Sequence, residues 1–233
     1  MHLFYQTGIT EKTICLEENE SKHCIRVLRL KLNDSVWVTD GKGTMYKTII
    51  SDDNPKACIL QIEEIQNNYG FRPNKLHIAI SPLHHADRLE WFLEKATESG
   101  IDEITPILCD RSERRNINID RLQKILISAM KQSLKANLPI LNPFVKLTDF
   151  LKNERKGLKG IAYCHDDRSH IIDWYKPNTD VTILIGPEGD FSDKEIELAL
   201  QKGYTGISLG ESRLRTETAA ISACIAINMI NKI

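Results

Sequence analysis

The spacing of apolar positions changes near residue 70, and the change divides the chain into two regions. Before it, short runs at Ser35–Thr39, 46–51 and 57–65 are separated by Asp40, Gly41, Lys42, Gly43 and by Asp52, Asp53, Asn54, Pro55. Short β-prone runs between turn formers predict a small, mostly antiparallel β module. One helix interrupts it: over 21–32, Ile25, Leu28 and Leu32 recur on one face while Lys22, Arg26 and Arg29 recur on another. Such a helix can dock on the sheet and still present a basic stripe. Residues 67–74 (NNYGFRPN) gather turn formers and predict a linker.

Beyond the linker, apolar runs alternate with helical periodicity: strands at Leu76–Ile80, 104–108, 160–164, Val181–Ile185 and 206–209, with helices through 88–99, 121–135 and 217–230. Strands alternating with helices predict an α/β unit whose parallel sheet is covered on both faces. Such sheets receive ligands at the carboxyl ends of their strands, which directs the search to the loops after Ile185 and Leu209.

The first loop runs through GPEGDFS into a helix, where Ser192 and Glu195 form an S-x-x-E capping box. Gly186 and Gly189 leave backbone groups open to a ligand, or serve only the geometry of the turn. After the second strand comes GESRLR, with Arg213 and Arg215 placed just before a helix that begins near Thr216. The positive end of that helix adds to any anion-stabilising field the arginines make, although a salt bridge to Glu211 or Glu217 would equally explain them. The closing helix mixes Ala219, Ala220, Ala223 and Ala226 with isoleucines, so it requires close burial against the sheet or against a partner subunit.

Composition narrows the classes. The formal net charge is -1, yet residues 22–31 sum to +4 and residues 111–135 to +5. Locally basic surface on a neutral protein suits selective phosphate contact, and a solvated helix face is the alternative. The six cysteines show no CxxC pair and His84 and His85 are adjacent, so no metal site is expected. No G-x-G-x-x-G or P-loop pattern occurs, which disfavours dinucleotide dehydrogenases and P-loop enzymes. With neither a secretory leader pattern nor a bilayer-length apolar stretch, a soluble protein of the cytoplasm is expected.

The strings LIGPEG at 184–189 and SLGESRLRTETA at 208–219 together resemble the paired cofactor loops of the bacterial 16S ribosomal RNA uridine-N3 methyltransferases of the SPOUT superfamily. HCIRVLR at 23–29 is similar to that family's amino-terminal basic helix, and EKATESGI at 94–101 to its first α/β helix; Gln132, Ser133 and Pro139 fall in a further similar stretch. The likeness extends from about His23 to Ala219. It departs at three places: Asp190 stands where the family usually has a third glycine, Glu211 and Ser212 replace a Pro-Arg type pair, and Lys131 replaces an acid.

The resemblance implies a PUA-like RNA-binding domain over 1–70 and a SPOUT methyltransferase domain over 75–233, threaded into a carboxyl-terminal trefoil knot and working as a homodimer. S-adenosylmethionine is then expected against Leu184, Ile185, Gly186, Pro187, Glu188, Gly189, Leu209, Gly210, Leu214, Arg215 and Thr216, with Gly186 and Gly210 least replaceable. Ribosomal RNA of the small subunit is expected against Lys22, Arg26, Arg29, Arg111, Arg114 and Arg115. Methyl transfer to uracil N3 requires loss of an imide proton. Arg215 is expected to meet the charge that develops on the carbonyl oxygens. Glu217 is the proton acceptor to consider, although a helix amino terminus makes a carboxylate a poorer base, and it could instead orient Arg215 or Arg213. A ribose 2'-O-methyltransferase of the same superfamily and a non-catalytic RNA-binding assembly factor are the competing functions.

Overall fold

The computed structural model describes residues 1–164 and 168–232. They form two compact units, Met1–Phe71 with Met130–Leu138, and Arg72–Ala129 with Pro139–Ile233. The first boundary falls inside the turn-rich segment 67–74.

In the first unit, β1 (Leu3–Tyr5), β2 (Thr13–Cys15), β3 (Ser35–Thr39), β4 (Met45–Asp52) and β5 (Ile59–Gln66) make one sheet in the order β1-β3-β4-β5-β2. Only the β1/β3 pair is parallel. The β3–β4 hairpin closes because the Asp40 carboxylate accepts from the N–H groups of Lys42 (2.7 Å) and Thr44 (3.1 Å). Gly41 cannot be replaced easily there: its φ is +73° and a Cβ would lie 2.8 Å from the Tyr5 ring. Phe4, Ile14, Val36, Val38, Ile50 and Leu60 fill the core.

The helix expected over 21–32 is much shorter. Helix α1 (Glu18–Lys22) passes into a π-helical turn at His23–Val27, and Arg29 takes a left-handed φ of 57°. The wide turn ends the helix, so Leu30 rather than Leu32 reaches the core with Ile25 and Leu28, while Leu32 is half exposed. Lys22, Arg26 and Arg29 therefore do not form one continuous helical stripe.

The second unit holds β6 (Leu76–Ile80), β7 (Glu103–Leu108), β8 (Ile140–Leu141), β9 (Val145–Lys146), β10 (Leu158–Ala162), β11 (Ser169–His170), β12 (Val181–Ile185) and β13 (Thr205–Ser208). Every pairing among them is parallel, in the order β11-β13-β10-β12-β6-β7-β8 with β9 beside β7. Strands β6 and β12 are buried at every position, as expected of the centre of a sheet covered on both faces. The helices are α2 (Ala86–Ser99), α3 (Ile119–Gln132), the single turns α4 (Leu147–Phe150) and α5 (Ile171–Trp174), α6 (Asp193–Gln201) and α7 (Thr216–Ile230).

Helix α3 stops before the expected Lys135. Leu134 turns left-handed (φ 55°), and Ala136 joins Leu3 and Met45 in the first unit's core, its carbonyl accepting from Gly43 N–H and Thr39 Oγ1 at 3.0 Å. Helix α6 begins with the anticipated box, Ser192 and Glu195 capping each other's backbone. Helix α7 packs on α2 and β6, and its alanines allow that close approach.

Candidate cofactor site

Strands β10, β12 and β13 are neighbours in the sheet, so the loops that leave their carboxyl ends converge. After Ile185 the chain folds into a turn closed by Asp190 N–H to the Pro187 carbonyl (2.9 Å), with Asp190 left-handed at φ 63°. Aspartate is among the few L residues that tolerate that conformation, which is why it can occupy a position suited to glycine. Gly186 lies against Phe191, whose ring would be 3.0 Å from a Cβ. The Gly186 carbonyl accepts from Thr216 Oγ1 (3.0 Å), joining this loop to the start of α7. In the second loop, Ser208 Oγ bonds Gly210, whose φ of +127° leaves a would-be Cβ facing open space.

The loops enclose a cavity of about 270 Å³. Nine of the expected residues line it: Ile185, Gly186, Pro187, Glu188, Leu209, Gly210, Leu214, Arg215 and Thr216. Two do not. Strand alternation turns Leu184 to the other face of β12, into the core with Ile161 and Phe191, and Gly189 faces the Arg111 side chain, which a Cβ there would meet at 3.6 Å.

Sequence reasoning missed Tyr163, Cys164 and Arg168, which follow β10, and Asp190; Ser212 and Arg213 also line the cavity, inside the motif loop at 208–219. The strand ahead of Tyr163 was legible, but its insertion between β12 and β13 is a long-range pairing with no local signal. The loop after β12 is bonded to its surroundings: Asp190 Oδ2 accepts from Cys164 N–H in the loop after β10 (2.9 Å), and Glu188 Oε1 accepts from His84 N–H after β6 (3.0 Å). Arg111 Nη1 donates to the carbonyls of Gly189 (2.9 Å) and Phe191 (3.1 Å).

Arg215 is the N-cap residue of α7, exposed and in the cavity wall. Glu217 is not beside it. The helix turns Glu217 to the far side, buried, with Oε1 3.8 Å from Arg88 Nη1 and Oε2 without a hydrogen-bond partner. The anticipated pairing of Glu217 with Arg213 or Arg215 is thus replaced by one with Arg88.

Of the basic residues expected on RNA, Lys22 pairs with Glu18 (2.6 Å), while Arg26, Arg29 and Arg115 are exposed. Arg114 donates to the Asn116 carbonyl (2.9 Å). Among the described residues no group of His, Cys, Asp or Glu is arranged to hold a metal, and no helix is long and apolar enough to cross a membrane.

Family models place an RNA methyltransferase domain at residues 72–228 and an RNA methyltransferase PUA domain at 16–63. Ribosomal RNA small subunit methyltransferase E of Rickettsia conorii is 32% identical over 208 residues, covering 88% of this chain and 84% of that protein. The protein of that name from Aquifex aeolicus is 26% identical, covering 95% and 96%. Among solved structures, one from Porphyromonas gingivalis described as a probable rRNA-methyltransferase superposes with a TM-score of 0.92 at 38% identity, covering 100% of this chain and 99% of that one. A candidate methyltransferase of Legionella pneumophila in complex with S-adenosylmethionine superposes at 0.87 with 27% identity, covering 97% and 96%. A PUA-like amino-terminal domain joined to an α/β methyltransferase fold with a parallel sheet, in a chain so similar over nearly its whole length, belongs to the ribosomal RNA small subunit methyltransferase E family.

Proposed function

We propose that this protein transfers a methyl group from S-adenosylmethionine to N3 of a specific uridine in 16S ribosomal RNA of the small ribosomal subunit. The observation that carries the reading is the cavity at the carboxyl ends of β10, β12 and β13, whose wall contains nine of the eleven residues expected from the two motif loops, in a chain of this family. Its residues suit the cofactor. Ile185, Ile207, Leu209 and Leu214 offer an apolar surface for a purine, and Glu188 and Asp190 are anionic complements to a sulfonium and an ammonium. Arg168 and Arg213 supply cations for a carboxylate. The volume lies near the lower end of the roughly 300–1,000 Å³ usual for small-molecule sites.

The cofactor supplies an electrophilic methyl on sulfur; the protein's task is to hold the base in line with it and to stabilise the uracil anion. Arg215, on the wall and at the amino end of α7, is the cation for the uracil carbonyl oxygens. Glu217 as proton acceptor has no support from its place beside Arg88, and its part in the reaction reduces to ordering the start of α7. RNA is held by Lys22, Arg26 and Arg29 on the amino-terminal domain, residues 1–70, and by Arg114 and Arg115 on the methyltransferase domain, residues 75–233. The reading includes a trefoil knot, supported by β13 returning beside β10 before α7 packs back on β6, and work in the cytoplasm. It also includes a homodimer through α7 and its neighbour α2, supported by the exposed Trp91, Ile225 and Met229 on those helices.

The test is to incubate the protein with S-adenosylmethionine and small subunits lacking the modification, then map the product. A methyl on N3 blocks the pairing edge, so reverse transcription should halt at one uridine. A product on a ribose oxygen would replace this reading with a 2'-O-methyltransferase, and absence of both product and cofactor binding with an assembly factor.

A further inference from the structure

Arg111 opens the basic window 111–135, and charge alone would assign it to phosphate. Its side chain is exposed, yet its hydrogen bonds go to the chain's own backbone. We infer that Arg111 is a positioning residue for the cofactor loop and not an RNA contact: its guanidinium holds the carbonyls of Gly189 and Phe191, the residues on either side of Asp190. The inference rests on the reading of that loop as the S-adenosylmethionine site.

Three observations carry it. First, the two carbonyls flank the left-handed residue of the loop, the point where the backbone would most readily relax, and one cation meeting both dipoles opposes that relaxation. Second, the Arg111 side chain lies along the loop, 3.6 Å (Cβ) and 3.7 Å (Cδ) from the Cβ that Gly189 lacks, while Pro187, Glu188 and Asp190 line the cavity. Third, the residues around Arg111 dock on the same structure. Asp110 N–H donates to Glu195 Oε1 (2.8 Å), Ser192 Oγ to Asp110 Oδ2 (2.7 Å), and Ser112 Oγ is 2.7 Å from Ser81 Oγ. Segment 110–112 is thereby a brace for the loop.

The two assignments separate in solution. Full-length wild-type protein, Arg111→Ala and Arg111→Gln are titrated with S-adenosylmethionine by calorimetry and with the 16S RNA substrate over a series of salt concentrations. A double variant, Arg26→Ala with Arg29→Ala, serves as the phosphate-contact control. Loss of a charge-assisted hydrogen bond predicts a cofactor Kd raised roughly tenfold or more in Arg111→Ala, and less in Arg111→Gln, which keeps a donor. In turnover, KM for S-adenosylmethionine should rise more than kcat falls. The salt slope of RNA binding should match wild type in both variants, whereas the control should lose roughly 0.7–0.9 per phosphate contact removed. Unchanged cofactor affinity, or a slope reduced by roughly 0.7–0.9, overturns the inference. Should Arg111→Ala not fold, Arg111→Gln decides by the same two criteria. Failure of wild-type protein to bind S-adenosylmethionine overturns the functional reading as well, so the two failures are distinguishable.

Discussion

The two loops of the cofactor cavity are built in opposite ways. Loop 186–191 is tied down from four directions: by His84 at Glu188, Cys164 at Asp190, Arg111 at two carbonyls and Thr216 at Gly186. In loop 209–215, the Ser208 hydroxyl at Gly210 is a local bond, and Glu211, Ser212, Arg213 and Arg215 are exposed. A bonded loop is preorganised, whereas one with few buried contacts moves at little free-energy cost. One side of the cavity is a fixed floor and the other an adaptable wall, and the residue proposed to act on the base, Arg215, belongs to the wall.

Glycine substitutions should expose this difference most. Gly186→Val drives a side chain toward Phe191, which is 1% exposed and has nowhere to go. Overpacking there should lower stability by about 1–3 kcal/mol and abolish cofactor binding. Gly210→Val meets no neighbour, so its cost is backbone strain at φ +127° alone, about 1 kcal/mol, while affinity falls roughly tenfold or more because the valine enters the cavity. Thermal unfolding with calorimetric titration checks both. Equal destabilisation by the two variants would erase the distinction between floor and wall.

Arg215→Ala, on the wall, should leave the floor and hence cofactor affinity nearly intact while turnover falls by roughly 100-fold, the scale of a lost charge-stabilising donor. Single-turnover rates at saturating cofactor and RNA are the measurement. Methylation at the wild-type rate would remove Arg215 from the chemistry.

The rigidity of the floor continues down the sheet that feeds it. His77 on β6 is buried between Thr105 of β7 (2.8 Å) and Thr182 of β12 (3.3 Å), beside Arg155 and Glu103. Burial pushes its pKa down from 6.5 to about 4, Glu103 opposing and Arg155 reinforcing the shift. The unfolded chain therefore binds the extra proton first. His77 contributes stability that is present above pH 6.5 and is lost as pH falls toward 4, by roughly 2–3 kcal/mol in all. Denaturant unfolding across that range should show the decline, and His77→Gln should flatten it. An unchanged pH slope in the variant would assign the acid sensitivity elsewhere.

The same contrast explains what the sequence made legible. Apolar patterning revealed β6, β12, α2 and α7, and the Ser192–Glu195 box marked the start of α6 to the residue. Both cavity loops were legible because glycine, proline and a helix start mark them locally. The bonds that hold the floor were not, since Arg111 to Gly189 spans 78 positions and Cys164 to Asp190 spans 26. The π-helical turn at His23–Val27 was also hidden: its apolar positions suit an α-helix, and docking on the sheet selects Leu30 over Leu32.

Asp190 gives the finest test of the fixed floor, because backbone and side chain can be separated there. Its left-handed φ of 63° favours glycine, yet its carboxylate also accepts from Cys164 N–H (2.9 Å) and Phe191 N–H (2.8 Å). Asp190→Gly relieves the backbone and loses the bonds. The two effects, each on the order of 1 kcal/mol, should nearly cancel in stability. Cofactor affinity should still fall a few-fold, because the segment bearing Tyr163 and Cys164 is no longer tied to the floor it faces across the cavity. Asp190→Ala loses the same bonds and keeps a side chain in the left-handed region, so it should be less stable than Asp190→Gly by about 1 kcal/mol, with a similar loss of affinity. Thermal unfolding and calorimetric titration of the pair resolve the two contributions. Equal stability of the alanine and glycine variants would show that the left-handed backbone carries no strain at this position, and wild-type affinity in both would show that the floor does not need its bond to the loop after β10.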